Sequence, residues 1–126
     1  MLEETQKELL DIINNFRTSF GKKELILDKI LASGAREFAS YIIPRFEEIE
    51  HQKIDPYTSP EARVGWKNEL NFFGDAESAK EFATTSLHNA IEEHPVQRKQ
   101  LLEAEEKIGI GVAQRGKRVF VCIRIL

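Results

Sequence analysis

The stretch Ile108-Gly109-Ile110-Gly111-Val112-Ala113, followed by Gln114-Arg115-Gly116-Lys117 and Val119-Phe120-Val121-Cys122-Ile123-Arg124-Ile125, decides the fold class of this chain. Ile108, Ile110 and Val112 alternate with small residues. Val119, Val121, Ile123 and Ile125 alternate with Phe120, Cys122 and Arg124. A period of two places successive side chains on opposite faces of a strand. Two such runs around a glycine-bearing turn predict an antiparallel β-hairpin. The second run is apolar on both faces for most of its length, which predicts a central strand covered on two sides. Gly109 and Gly111 lie within a strand, so close packing by an overlying helix is expected there rather than nucleotide binding. Cys122, the single cysteine, has no internal disulfide partner and is expected to be a buried small hydrophobe.

Upstream the period changes to that of helices. Leu9, Ile13, Phe16 and Phe20 mark one apolar face of a helix over 3–20, and Gly21 stands where a helical stop belongs. A linker over 22–27 leads to Asp28, an N-cap for a second helix whose inward residues are Leu31, Ala35, Phe38 and Ile42. Pro44 should end or kink that helix near Ile43. Asp55-Pro56 and Ser59-Pro60 mark turns, with a short helix through Arg63, and 66–73 is a weak strand candidate. Ser78 caps a third helix to about Glu93, with Ala79, Phe82, Ala83, Leu87, Ala90 and Ile91 inward. Pro95 then starts a short helix through Leu102. Three helices before a small antiparallel sheet make the chain α+β.

At 126 residues, one domain over 1–126 is expected. The net charge of −3 leaves no basic excess for phosphates, so nucleic acid is not an expected partner. No apolar run reaches membrane-spanning length. The opening Met-Leu-Glu-Glu-Thr has neither a basic nor an apolar leader region, consistent with an intracellular protein or with prior removal of a leader.

Local motifs for chemistry are sparse. There is no HExxH, cysteine cluster, phosphate loop, GxGxxG turn or Gly-x-Ser-x-Gly elbow. His88 and Glu92 share a helix face as a surface contact, whereas His88 and His94 do not share one. The acidic pairs Glu47-Glu48, Glu92-Glu93 and Glu105-Glu106 are expected at solvated helix faces and ends. Residue chemistry alone stops at an α+β domain.

The order of the pieces goes further. Asn14-x-x-Arg17, Gly21, Leu25, Leu27-Asp28 and Leu31-x-x-x-Ala35-x-x-x-Ala39 are followed by His51, Ser59-Pro60-x-x-Arg63 and Ser78-Ala79. Arg98-x-x-Leu101-Leu102 then precedes Ile108-Gly109-Ile110-Gly111-Val112. This layout resembles the CAP superfamily of cysteine-rich secretory proteins, antigen 5 and plant pathogenesis-related proteins, and within it the bacterial disulfide-free, SCP-like branch. The resemblance implies a three-layer α-β-α sandwich with a small antiparallel sheet, and a secreted or cell-envelope protein. It also implies a cleft in which two histidines and two glutamates can hold a divalent metal.

Carried over residue by residue, His51 matches the first histidine and Glu69 the glutamate of the family's Gly-Glu-Asn-Ile-Ala stretch, written here Asn68-Glu69-Leu70-Asn71. The second histidine is replaced by Gln97 in His94-Pro95-Val96-Gln97-Arg98, with His94 three residues earlier. Glutamine is a poor transition-metal ligand beside imidazole. No cofactor is therefore expected, although His51, Glu69 and His94 with a water provide a candidate Zn²⁺ set. The resulting expectation is a monomeric, non-enzymatic binding module with a polar cleft bordered by His51, Glu69, His94 and Gln97. Its partner would be a protein, a lipid or a cell-envelope ligand, and Arg63 would tie down the loop after His51. The alternatives are an ester or peptide hydrolase using His51 as base or metal ligand with Glu69 as its partner, or a small lipid-binding domain.

Overall fold

The computed structural model describes residues 2–45 and 69–126. His51, Arg63, the turns at Asp55-Pro56 and Ser59-Pro60, the pair Glu47-Glu48 and the stretch 66–68 lie outside the described residues.

The first helix, α1 (Leu2–Ser19), ends where Gly21 takes φ +74°. The Lys22 N–H then donates to the Arg17 carbonyl at 2.9 Å and the Gly21 N–H to the Thr18 carbonyl at 3.0 Å, which satisfies two terminal carbonyls. Leu9 and Ile13 are fully buried as their spacing predicts. Phe20 departs from that face: it lies beyond the last helical residue, 60% exposed, and meets Phe16 edge-on at 5.2 Å.

The 22–27 segment, expected as linker, contains the short strand β1 (Ile26–Leu27). It pairs in parallel with Lys107–Ile108, so the sheet is mixed rather than wholly antiparallel. Asp28 caps α2 (Lys29–Ile42), its Oδ2 accepting from the Leu31 N–H at 2.9 Å. A 3₁₀ turn (Ile43–Arg45) carries Pro44 at the helix end. Then come β2 (Glu69–Asp75), α3 (Ala79–Glu93), α4 (Pro95–Glu103), β3 (Lys107–Arg115) and β4 (Arg118–Ile125).

The strand order is β1-β3-β4-β2, with β4 central as predicted, antiparallel to both β3 and β2. Gly116 at φ +62° makes the tight hairpin turn between Arg115 and Arg118. Alternation along β4 separates two cores. Val119, Val121, Ile123 and Ile125 pack with Leu9, Ile13, Leu87 and Leu101 of α1, α3 and α4. Phe120 and Cys122 pack with Ala35, Phe38 and Ala39 of α2. The architecture is thus an α-β-α sandwich in three layers. α2 approaches the sheet over Gly109 and Gly111, where a Cβ would lie 2.2 Å from the Leu31 backbone and 2.3 Å from the Ala35 backbone. That is the helix contact expected of the Gly-x-Gly, and Cys122 is buried as expected.

Candidate functional site

Two polar arrangements lie on and around β2. The first is buried against the α2 layer. Strand pairing sets Glu69 opposite Arg124, and the Arg124 Nε donates to Glu69 Oε2 at 3.0 Å with both side chains almost fully shielded. Asn71, two residues along the same face, donates from Nδ2 to Glu69 Oε1 at 2.7 Å. The Arg124 guanidinium also lies 5.7 Å from the centre of the Phe38 ring. Each Glu69 oxygen therefore already accepts a hydrogen bond, and a buried cation balances its charge.

The second arrangement is an open cleft of about 350 Å³ between β2, α3 and the start of α4. Its walls follow from local sequence. Ser78 caps α3, its Oγ accepting from the Glu81 N–H at 3.2 Å. Burial of Ala79, Ala83, Leu87 and Ala90 then turns Phe82, Ser86 and Asn89 towards β2 at helical spacing, and these three line the cleft. Gly74 of β2 admits the Phe82 ring, since a Cβ there would sit 2.7 Å from Phe82 Cε1. Pro95 cannot continue α3, because it lacks a backbone donor, so the chain breaks and α4 starts anew. His94 occupies that break as C-cap of one helix and N-cap of the next, with no side-chain capping bond. Gln97 follows within the first turn of α4, and both line the cleft.

The structure thus brings His94 and Gln97 together, with Asn71 joining their cleft to the Glu69 pair. Glu69 is not among the cleft's lining residues, and His51 lies outside the described residues. Among the described residues, no three His, Cys, Asp or Glu side chains form a group able to hold a metal. His88 and the pairs Glu92-Glu93 and Glu105-Glu106 are exposed, as expected.

Sequence reasoning missed Ser86 and Asn89, although the face shared by 82, 86 and 89, outside the alanine-rich core stripe, could have found them. It also missed Arg124 as Glu69's partner; the signal was a lone charge in an apolar strand. The Asn14-x-x-Arg17 motif proves structural. Asn14 pairs with both backbone groups of Leu25 at 2.8 and 3.1 Å. Arg17 donates to the carbonyls of Lys23 at 2.8 Å and Leu101 at 2.6 Å, tying α1 to α4, and burial lowers its pKa.

No family model matches the sequence, and no curated protein matches it. Solved structures do. An outer surface protein of Borrelia burgdorferi superposes with a TM-score of 0.64 at 16% identity, covering 99% of this chain and 94% of that one. NaASP2, solved with Zn²⁺, gives 0.64 at 15% identity over 98% of this chain and 79% of that one. An extracellular SCP-domain protein of Bacillus anthracis gives 0.54 at 16% identity, covering 95% of this chain but only 40% of that longer one. Layer order, terminal hairpin and these superpositions agree: the chain has the CAP-like fold of SCP-domain proteins.

Proposed function

We propose that the protein is a binding module whose ligand site is the cleft between β2, α3 and α4, working without a bound metal. The observation that carries this is the convergence of Ser86, Asn89, His94 and Gln97 on one cleft. Polar groups converging on a concavity are the usual form of a small-ligand site. Glu69, with both oxygens engaged by Asn71 and Arg124, does not fit a Zn²⁺ ligand, because coordination would displace hydrogen bonds those oxygens already accept and draw its charge away from a buried guanidinium. The same engagement argues against Glu69 as the partner of a catalytic histidine. Action outside the cytoplasm is supported by the outer-surface and extracellular proteins that share the fold.

Two-dimensional NMR of the ¹⁵N-labelled chain against a cocktail of small polar and aromatic fragments tests this. Saturable shifts should concentrate at Ser86, Asn89, His94 and Gln97, and Zn²⁺ should leave those signals in place. Fragment shifts confined to other surfaces would overturn the proposal. So would stoichiometric Zn²⁺ binding lost in His51→Ala, or ester or peptide turnover lost in His94→Ala.

A further inference from the structure

We infer that the ligand class of this cleft is a neutral saccharide of one or two rings, an inference that rests on the cleft being the binding site. Among the described residues that line it, Asn71, Ser86, Asn89 and Gln97 carry uncharged hydrogen-bonding side chains, His94 adds an imidazole, and none is Asp, Glu, Lys or Arg.

That composition sets what each ligand class would meet on the described walls of the cleft. An anionic ligand requires a cation or a row of aimed backbone N–H groups to replace its hydration, and none of the described lining side chains is Lys or Arg. A cationic ligand requires a carboxylate, and Glu69, which the cleft residue Asn71 contacts, is already paired with Arg124. A lipid chain would desolvate the Asn89 and Gln97 amides without offering either a donor or an acceptor.

A sugar suits the groups present. Each primary amide carries donors on nitrogen and an acceptor on oxygen in one plane, which matches the paired donor and acceptor character of adjacent hydroxyl groups. The Ser86 hydroxyl adds the same dual character, and the His94 imidazole supplies a further hydrogen-bonding group. Phe72 and Phe82, both half-buried, and the exposed Phe73 line the same cleft. The electron-rich face of an aromatic ring attracts the weakly positive C–H face of a pyranose. A volume of about 350 Å³ lies at the small end of ligand sites and admits one or two rings, not an extended chain. The cleft is open, so affinity should be modest, with Kd on the order of 1 mM.

The test is NMR titration of the ¹⁵N-labelled full chain in four separate arms: maltose, N,N′-diacetylchitobiose, sucrose octasulfate and octanoate. At least one of the two neutral disaccharides should give saturable shifts at Ser86, Asn89 and Gln97, and the comparison between them separates plain from acetamido sugars. Asn89→Leu and Gln97→Leu should each weaken that binding about tenfold while leaving the thermal unfolding midpoint unchanged, because Asn89 is exposed and Gln97 only half-buried. Silence from both neutral sugars overturns the inference, as does binding insensitive to both substitutions, or tighter binding of the sulfated sugar or octanoate at these residues. If the fragment cocktail marks the cleft while both sugars stay silent, only the ligand class falls. If the cocktail also leaves the cleft unmarked, the binding reading falls with it.

Discussion

The face of the sheet towards α2 presents Gly109, Gly111, Ala113, Phe120, Cys122 and Arg124, whereas the opposite face presents Ile108, Ile110, Val112, Val121, Ile123 and Ile125. Among the described residues, one helix, α2, lies directly on the first face, backbone against backbone, with an ion pair enclosed at its β2 end. The described helices α1, α3 and α4 cover the second, separated from it by branched aliphatic side chains. The difference teaches where this sequence tolerates change. Aliphatic packing is plastic, because neighbouring side chains can adjust to small losses of volume. A glycine floor under a helix backbone and a buried charge pair have no such freedom.

The largest contrast should come from the enclosed pair. Glu69→Ala removes the carboxylate that the buried Arg124 guanidinium bonds, and should cost about 3–5 kcal/mol in chemical denaturation. Glu69→Leu combined with Arg124→Met should recover most of that loss, since apolar replacement of a buried pair is often neutral or stabilising. A mild Glu69→Ala phenotype would show that the pair adds little to stability, and would reopen Glu69 as a ligand.

Next in size is the glycine floor. Gly109→Ala places a Cβ 2.2 Å from the Leu31 carbonyl carbon, so α2 must shift, at a cost of about 3 kcal/mol. Ile110→Val, one residue along and on the aliphatic face, should cost about 1 kcal/mol. Equal losses in urea unfolding would erase the distinction between the faces.

The smallest effect belongs to the outer surface of the aliphatic side. Lys80 of α3 reaches Glu4 at 3.0 Å and Glu8 at 3.3 Å on α1. The hydrogen bond to Lys80 holds the Glu4 carboxyl below its ordinary range, and the bonds to Glu4 and Glu8 hold the Lys80 ammonium above its own. Stability from Glu4 is fully present above the ordinary carboxylate pKa and is lost as pH falls through the lowered native value. Stability from Lys80 is fully present below the ordinary lysine pKa and is lost as pH rises through the raised native value. Lys80→Met should therefore leave the urea midpoint near pH 7 almost unchanged and flatten its decline at both extremes. A large loss at neutral pH would mean that α1 and α3 depend on this exposed contact.

What was legible in advance follows from local physics. The apolar spacing of α2 and α3, the caps Asp28 and Ser78, and the alternation of β3 and β4 each act over a few residues, so the sequence alone determined these elements and the α+β class. It also determined that Gly109 and Gly111 lie beneath a helix, because alternation assigns them one face and their size allows close approach. β1 escaped notice because two residues carry no period; it exists through the hydrogen bonds of Ile26 to Glu106 and of Asp28 to Ile108. The site depended on tertiary structure still more. Glu69 and Arg124 lie 55 residues apart and meet only through the register of β2 against β4. Ser86, Asn89 and Gln97 carry no motif of their own and become a site only when two helices and a strand edge close around one volume. Periodicity fixes which way a side chain faces within its own element; only the packing of elements decides what it faces.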